Sequence, residues 1–404
     1  MSRTVVVTGL GAVSGLGLTV PQFWKSLVEG RSGFTELKDT AGWDSRLKVR
    51  FGARVPGYDP LRFFSADEIP LLDRHTQFAL IAAKEAVADA DLDDQHLFSA
   101  GVVLGTGCGG KETDEETYCA LYQRGKSRVH PLTIPRGMPS AAASQLSMKL
   151  AITGPVFSIS SACSSANHAV IQSQMMIRAG LVDIVLAGGT DAPFTFGLLK
   201  SWEAMRVLAS DTCRPFSANR NGLILGEGAG ILVLESFEHA LSRGARIYGE
   251  IAGCGMSADA AHITVPSVDG AAKAINYALQ DGGIEPAQVD YVNAHGTGTK
   301  INDPFETRIL HQVFGDHANR LMVSSTKSMH GHTLGAAGAH ELIATLLAIR
   351  DSHIPPTANF TEPGEGCDLD YVPNQSRDSS INVAISNSFA FGGLNAVIAV
   401  RRLD

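Results

Sequence analysis

Residues 156–180 read VFSISSACSSANHAVIQSQMMIRAG, and this stretch predicts a β-strand, a tight turn and an α-helix in succession. The β-branched and aromatic residues at its start favour a strand that ends near Ser160. The residues that follow favour a helix with Arg178 in its last turn and Gly180 as its stop. Cys163 is therefore expected in the turn that joins a strand to the start of a helix.

The same alternation of strand-like and helix-like segments extends over most of the chain. The predicted strands are Thr4–Val7, Val102–Leu104, Val156–Ser160, Ile184–Ala187, Ile231–Leu234, Tyr291–Ala294, Met322–Ser325 and Ile381–Ser386. Helices are predicted near residues 77–90, 140–150, 164–179, 270–281, 304–314 and 335–350. Such alternation predicts an α/β fold with buried sheets.

Two segments of similar sequence predict that the chain consists of two related halves. Residues 101–110 read GVVLGTGCGG and residues 291–300 read YVNAHGTGTK, each a strand followed by a Gly-Thr-Gly turn. We expect an N-terminal half, residues 1–250, and a C-terminal half, residues 251–404. No low-complexity linker separates them, so the halves are expected to pack into one body.

Size and composition indicate a globular enzyme. The 404 residues are enough for a large core, and 44% hydrophobic with 18% charged residues is an ordinary balance. A net charge of −8 argues against a nucleic-acid-binding protein, because such a surface repels phosphates. No apolar stretch is long enough to span a bilayer, and the N-terminus MSRTVVVTGLGAV is interpreted as a strand and turn rather than a signal peptide.

The cysteines and histidines do not form a recognisable metal-binding pattern. None of the six cysteines is part of a CxxC pair, which argues against a zinc knuckle or a redox dithiol. Reduced thiols in a cytoplasmic protein are the simpler interpretation. His330 and His332 make an H-x-H pair, but no third ligand follows at a suitable spacing, so no metal is expected.

Cys163 is the candidate nucleophile. The positive end of the helix that follows it would favour the thiolate, which is the attacking species. Backbone N–H groups at the same helix start could donate to an oxyanion that forms on an attacked carbonyl. The alternative interpretation is a small buried structural cysteine, the usual state of a free cysteine.

His295 and His332 are the candidate partners of this thiol. His295 follows a strand at the head of AHGTGT, and His332 lies in SSTKSMHGHTLGAAGAHE after another strand. A neutral imidazole can donate an N–H to a developing enolate or thioester oxygen. Lys327 can supply a fixed positive charge, and Glu341 on the next helix could pair with it.

A nucleotide-dependent reductase is a weaker alternative. Gly105, Gly107 and Gly110 fit the GxGxxG pattern after a strand. The acidic residue that should follow about 20 positions later is missing. Gly392 and Gly393 in SFAFGGLN instead indicate a loop that approaches a reacting group closely.

Together with VVVTGLGAVSGLG, RPFSANRNGLILGEGAGILVLE and NSFAFGGLNA, these motifs resemble the β-ketoacyl-[acyl carrier protein] synthases of the thiolase superfamily, especially the type II elongating branch. The resemblance covers essentially the whole chain. It implies a thiolase-like, duplicated five-layer α/β/α/β/α fold and a dimer. Several stretches, among them MPSAAA and SACSSANHA, are similar to nodulation-type ketosynthases, which build unusual unsaturated acyl chains. Polyene-type ketosynthases, which pair with a non-catalytic chain-length factor, are a second neighbour.

The resemblance also implies an acyltransferase that joins a malonyl unit to an acyl chain by decarboxylative Claisen condensation, in fatty acid, unsaturated acyl or polyketide synthesis. Cys163 would take the acyl chain from the phosphopantetheine of acyl carrier protein, while His295 and His332 assist decarboxylation with Lys327. No metal and no cofactor beyond the carrier's phosphopantetheine is implied. The supporting residues that it implies are Glu341, Asp303, Glu306, Phe391, Gly392 and Gly393, with the N–H groups of Phe391 and Cys163 forming the oxyanion hole.

Two departures from the family pattern concern the substrate and the carrier protein. Cys108 stands where relatives place a bulkier apolar residue in the acyl pocket, to which Phe389 is also assigned. The segment 63–74, FFSADEIPLLDR, is acidic where relatives have a basic docking cluster. The remaining candidate contacts for the acidic carrier protein are Arg206, Arg124, Lys126 and Arg128, although they could equally be a solvated basic face.

Two functional alternatives share the fold. A non-catalytic chain-length factor would lack the catalytic cysteine, whereas this chain has Cys163 and both histidines. A thiolase normally uses a second cysteine as acid or base, whereas the matching C-terminal loop here is Phe391-Gly392-Gly393.

Overall fold

The computed structural model describes residues 3–38 and 43–403. Its strands are β1 Val5–Val13, β2 Thr35–Glu36, β3 Phe51–Gly52, β4 Gly101–Gly105, β5 Val156–Ile159, β6 Ile184–Asp191, β7 Gly228–Ser236, β8 Gly249–Ala258, β9 Tyr291–Asn293, β10 Met322–Ser324, β11 His353–Ile354, β12 Arg377–Asp378, β13 Val383–Ala390 and β14 Leu394–Arg401. Its α-helices are α1 Val20–Val28, α2 Arg74–Asp89, α3 Asp94–Phe98, α4 Lys111–Tyr118, α5 Thr133–Gly137, α6 Ala141–Lys149, α7 Ser165–Arg178, α8 Phe196–Met205, α9 Phe237–Ser242, α10 Val268–Asp281, α11 Asn302–Phe314, α12 Lys327–His330 and α13 Ala337–Asp351.

The main sheet is a tandem repeat of one five-stranded pattern. Its order is β10-β9-β13-β14-β8-β1-β7-β6-β4-β5. Outward from the centre, the first half runs β1-β7-β6-β4-β5 and the second runs β8-β14-β13-β9-β10. Each half has two antiparallel pairings followed by two parallel ones, and the antiparallel pair β1·β8 joins them. The two segments that looked alike in sequence contain β4 and β9, which occupy equivalent places in the repeat.

Helices cover both half-sheets and also separate them. Helices α2 and α6 pack on one side of the first half-sheet, and α10 and α11 pack on the second. Helices α7 and α13 lie between the halves in a shared core. Every residue of α13 from Ala337 to Ile349 is buried, as expected for a helix with sheets on both sides. The predicted duplicated five-layer α/β/α/β/α fold is therefore confirmed.

All eight strands predicted from the sequence are present, with ends displaced by a few residues. The central strand β8 and the hairpin strand β14 were not predicted. Strand β8 reads GEIAGCGMSA, and its small residues give a weak strand signal because they lack β-branched side chains. The division at residue 250 stays a prediction, and it falls just inside the start of β8.

Candidate active site

Cys163 lies where the sequence placed it, between β5 and α7. A short 3-10 turn, Ala162–Ser164, links the strand to the helix. Ala162 has φ of 52°, a left-handed conformation that is uncommon for a residue with a Cβ and that often marks functional turns. The turn places the Cys163 thiol at the inner end of a cavity, where the backbone N–H of Phe391 donates to it.

The ionisation of this thiol differs from the sequence-based expectation. Burial raises the pKa of Cys163 to about 11, although the nearby Lys327 and the N–H of Phe391 lower it. The helix start was predicted to favour the thiolate, but the loss of hydration on burial outweighs this effect. The resting nucleophile is therefore the neutral thiol.

The two candidate histidines face each other next to this thiol. The ring centroids of His295 and His332 are 5.6 Å apart, and the ring planes are nearly perpendicular at 85°. Both rings line the same cavity as Cys163. Burial and the charge of Lys327 hold the pKa of each imidazole well below its usual value, so both rings are neutral.

Hydrogen bonds fix which nitrogen of each ring carries the proton. The backbone N–H of Leu334 donates to Nδ1 of His332 at 3.1 Å. The ammonium of Lys327 lies 3.4 Å from Nδ1 of His295, which must therefore act as the acceptor. Each ring then carries its proton on Nε2. Nε2 of His332 is buried without a partner among the described residues, which leaves an N–H donor free for a substrate oxygen.

Lys327 and Glu341 form a buried ion pair behind His295. The Lys327 ammonium donates to Oε1 of Glu341, and the two side chains are 1% and 0% exposed. Burial raises the pKa of the Glu341 carboxyl, whereas the Lys327 charge lowers it. The pair holds a positive charge within reach of His295.

Asp303 and Glu306 position the loop that begins at His295. Glu306 accepts the backbone N–H groups of His295 and Gly296, each at 2.8 Å. Asp303 accepts the N–H groups of Gly298 at 3.2 Å and Phe216 at 2.7 Å. Both carboxylates are buried and bond backbone groups, so they support the loop rather than face the cavity.

The segment Phe389–Gly393 comprises the end of β13 and the turn that leads to β14, and the N–H of Phe391 in it donates to the thiol. Phe389 lies edge-on to His295 with centroids 6.2 Å apart, and the ring of Phe391 is tilted to Trp202 at 6.2 Å. Gly392 and Gly393 have φ of 83° and 69°, which favour glycine. A Cβ on Gly393 would lie 2.4 Å from Cβ of Asp259, so the close approach seen at this glycine is to Asp259. The predicted close approach of the loop to a reacting group stays a prediction.

The cavity that ends at Cys163 has a volume of about 620 Å³. Its inner end holds Cys163, His295, His332, Phe389 and Phe391. Residues that the sequence analysis did not single out form the rest of its wall, among them Trp202, Met205, Asn221, His262, Ile263, Thr264, Val265, Thr297, Thr299, Lys300, Ile301 and Asn302. Thr297, Thr299, Lys300, Ile301 and Asn302 follow His295 in AHGTGTKIN, so that motif could have indicated them. The others come from α8 and from separate loops.

Asp191, at the end of β6, is a further residue that the sequence analysis missed. Its buried carboxylate accepts from the backbone N–H groups of Gly107, Cys108 and Gly335 and from Oγ1 of Thr106. It thereby ties the loop after β4 to the start of the helical turn that precedes α13. Cys108, which that loop carries, and Phe391 both pack against the buried cluster that contains Leu334.

The structure places one of the four predicted carrier-protein contacts at the cavity and the other three away from it. Arg206 lines the opening of the cavity, whereas Arg124, Lys126 and Arg128 are exposed but do not line it. The acidic segment 63–74 is also less open than its composition suggests. Asp73 is buried, where it caps α2 and accepts from Thr113, and Glu68 is paired with Lys149.

No group of three or more metal-ligating side chains occurs within residues 3–38 and 43–403. Both ring nitrogens of His330 are already hydrogen-bonded, to the carbonyl of Gly331 and to Oγ1 of Thr326.

Within residues 3–38 and 43–403, no helix is long and apolar enough to cross a bilayer. All six cysteines are free thiols.

Comparisons with known proteins agree with this geometry. Residues 2–240 match the N-terminal domain of the beta-ketoacyl synthase family, and residues 248–361 match its C-terminal domain. The chain is 48% identical over 406 residues to nodulation protein E of Rhizobium leguminosarum bv. trifolii, with both chains covered completely. It is 40% identical over 410 residues to 3-oxoacyl-[acyl-carrier-protein] synthase 2 of Synechocystis, covering 99% of this chain and 98% of the relative. Among solved structures, the ishigamide ketosynthase/chain length factor superposes with a TM-score of 0.95 at 36% identity, with both chains covered completely. The chain therefore belongs to the beta-ketoacyl synthase family and is a condensing acyltransferase.

Proposed function

We propose that this chain is a β-ketoacyl-acyl carrier protein synthase that extends an acyl chain held on Cys163 by two carbons, in fatty acid, unsaturated acyl or polyketide synthesis. The observation that carries the proposal is the Nε2–H of His332, which has no partner among the described residues, on a ring that lines the cavity together with His295 and Cys163. A neutral donor pair next to a nucleophile suits a reaction that develops negative charge on a carbonyl oxygen.

The first step is transfer of the acyl group to the enzyme. The sulfur of Cys163 attacks the thioester carbonyl of the carrier-bound acyl chain, and the N–H groups of Cys163 and Phe391 hold the oxyanion. The carbon–sulfur bond to phosphopantetheine then breaks. The proton lost by the Cys163 thiol ends on the departing phosphopantetheine thiol, so the exchange needs no further reactant.

The second step uses both imidazoles. The thioester oxygen of a malonyl carrier protein accepts Nε2–H bonds from His295 and His332, which stabilise the enolate that forms as carbon dioxide leaves. The enolate carbon attacks the carbonyl carbon of the acyl group on Cys163, and the bond from that carbon to sulfur breaks as the new carbon–carbon bond forms. Cys163 departs as the thiolate and takes one proton from solvent to return to the resting thiol. Lys327 acts through His295, because its ammonium keeps the Nδ1 side of that ring an acceptor.

Acylation of the protein tests the nucleophile directly. Wild-type protein incubated with hexanoyl carrier protein should gain one hexanoyl group by intact mass, on Cys163. Cys163→Ala should gain none, and Cys254→Ala, which removes a cysteine outside the cavity, should behave as wild type. Normal acylation of Cys163→Ala would refute the assignment.

We propose further that the carrier's phosphopantetheine is the only prosthetic group involved. We also propose that the protein acts in the cytoplasm, which its free thiols support.

A dimer is supported by strand β5, a half-buried edge of the main sheet whose outer backbone groups are open to a second chain. A homodimer and a heterodimer with a chain-length factor both fit this edge.

Two alternative functions are less well supported. A chain-length factor would not need the thiol, the neutral imidazole pair and the buried ion pair, all of which are assembled here. A thiolase would need a second cysteine in the cavity wall, and Cys163 is the one cysteine among the lining residues. Malonyl turnover by the isolated chain separates the first, and coenzyme A-dependent cleavage of a ketoacyl thioester separates the second.

A further inference from the structure

Asp191 links segments that follow strands of the two half-sheets. It ends β6 in the first half-sheet, and its side chain is completely buried. Its Oδ2 accepts the backbone N–H of Gly107, after β4, at 2.8 Å, and also that of Gly335, before α13, at 2.6 Å. A carboxylate that accepts charge-assisted hydrogen bonds from two segments fixes those segments relative to each other.

Each of the two linked segments lies next to a reacting side chain. Gly107 borders the turn that carries the nucleophile, since a Cβ built on Gly107 would lie 3.7 Å from the carbonyl oxygen of Ala162. Gly335 comes three residues after His332. The two bonds to Oδ2 of Asp191 therefore connect the surroundings of the thiol with those of one catalytic imidazole.

The chain from His332 to Gly335 is held at both ends. The backbone N–H of His332 donates to the carbonyl of Ile224 at 2.7 Å, and its own carbonyl accepts the N–H of Gly226 at 2.9 Å. At the other end, Asp191 holds the N–H of Gly335. The two residues in between are left with little conformational freedom.

Leu334, one of those two residues, connects this constraint to the imidazole. Its φ of 51° is left-handed, which is uncommon for a residue with a Cβ and persists only where the surrounding structure imposes it. Its backbone N–H donates to Nδ1 of His332 at 3.1 Å. That bond sets the orientation of the ring and leaves its proton on Nε2, the atom without a partner among the described residues.

We propose that Asp191 is a positioning residue for the condensation: by holding Gly335, it keeps the N–H of Leu334 on Nδ1 of His332 and so keeps the Nε2–H available to the substrate oxygen. This inference rests on the proposed function, in which that N–H stabilises the enolate. Asp191 does not line the cavity, and its two oxygens already accept four donors, so it acts through His332 rather than on the substrate.

A double-mutant cycle tests whether Asp191 acts through His332. Carbon dioxide release from malonyl carrier protein is measured in the Cys163→Gln background for Asp191→Asn, His332→Ala and both changes together. Asp191→Asn places an amide N–H₂ against backbone donors and should slow release about tenfold or more, because it displaces one of the donors to the forming oxyanion. In the His332→Ala background the same change should cost less than about twofold, since the ring through which Asp191 acts is gone. Equal losses in the two backgrounds would overturn the inference.

Two further variants guard against a loss of folding. Asp191→Glu keeps the charge and the acceptor oxygens but moves them by one methylene, so the cycle is run with both substitutions and circular dichroism checks each fold. Glu85→Gln is the matched control, because Glu85 also accepts two backbone N–H groups, of Ala12 at 2.9 Å and Val20 at 2.7 Å, but does not line the cavity. It should leave carbon dioxide release within about twofold of the Cys163→Gln parent. A loss equal to that of Asp191→Asn would show a general effect of weakened packing and overturn the inference.

Nitrogen-15 NMR of histidine-labelled protein reads the ring of His332 without any substrate. Its signals are those missing from His332→Ala. The wild-type ring should carry its proton on Nε2, and Asp191→Asn should shift both nitrogen signals toward a mixture of tautomers. A wild-type ring protonated on Nδ1, or signals that Asp191→Asn leaves unchanged, would overturn the inference. If the Cys163→Gln parent released no carbon dioxide, the proposed function would fall, whereas these signals would still decide the role of Asp191.

Discussion

Glu341→Gln should destabilise the protein and impair catalysis together, because it leaves the Lys327 ammonium buried without its carboxylate. Both side chains are almost completely excluded from solvent, at 1% and 0% exposure. Removing one partner of a buried ion pair costs about 3–5 kcal/mol. With an unfolding entropy of about 2.1 cal/mol/K per residue and 404 residues, this predicts a fall in Tm of about 4–6 °C.

The assay is thermal unfolding by circular dichroism, together with the rate of carbon dioxide release from malonyl carrier protein. Glu29→Gln is the control, since Glu29 pairs with Lys25 and Arg31 on the surface, where an ion pair contributes about 0–1 kcal/mol. The double variant Lys327→Met/Glu341→Leu should recover stability relative to Glu341→Gln but not activity, because it buries no charge. A Tm of Glu341→Gln equal to that of wild type would refute the reasoning.

Three further predictions concern the thiol, the buried histidines and the glycine loop. The rate of Cys163 alkylation by iodoacetamide should rise about tenfold per pH unit between pH 7 and 9. The reason is that the pKa of Cys163 is raised to about 11, so the reactive thiolate is a small fraction that grows tenfold with each pH unit. A rate that reaches a plateau below pH 9 would contradict this. Burial lowers the pKa of His340 to about 4, so its contribution to stability is present above about pH 6.5 and is lost as the pH falls toward 4. Over that range the free energy of unfolding in urea should fall about 3 kcal/mol more for wild type than for His340→Gln, and an equal fall in the two proteins would contradict this. Gly393→Ala should slow acylation of Cys163 more than Gly57→Ala does. Both glycines have positive φ, but only a Cβ at Gly393 would collide with another residue. Equal acylation rates in the two variants would show that the loop tolerates this clash.

Much of the fold could be predicted because its strands carry strong local signals. The β-branched runs identified eight strands, and the repeated Gly-Thr-Gly turns indicated the duplication. Strand β8 was missed because small residues dominate it, and its place in the sheet depends on pairing with β1 rather than on local preference. Strand β14, LNAVIAVR, carries three β-branched residues and was predictable from its sequence.

The catalytic residues of the candidate site were predictable because each of them follows a strand that the sequence indicates. Cys163 follows β5, His295 follows β9, and Lys327 and His332 follow β10, which is the counterpart of β5 in the second half. The repeat brings these strand ends together. Whether a thiol is ionised depends on how much water reaches it, which a sequence motif does not encode. The predicted thiolate was therefore wrong.

Residues whose role depends on contacts between distant segments could not be predicted from local sequence. Asp191 ends a strand like many other residues, and its four donors come from two distant loops. The outer wall of the cavity, with Met205, Ile263 and Ile301, is likewise assembled from three separate segments, and these residues look like ordinary apolar residues in sequence.

Cys163→Gln offers the most direct test of the central claim, that a buried thiol and a neutral imidazole pair divide the reaction between them. Incubated with malonyl carrier protein, this variant should release carbon dioxide and form acetyl carrier protein but make no condensation product. Adding His332→Ala in the same background should reduce that release by about 100-fold or more, the cost typical of losing one oxyanion donor. Carbon dioxide release that is unchanged by His332→Ala would contradict the account.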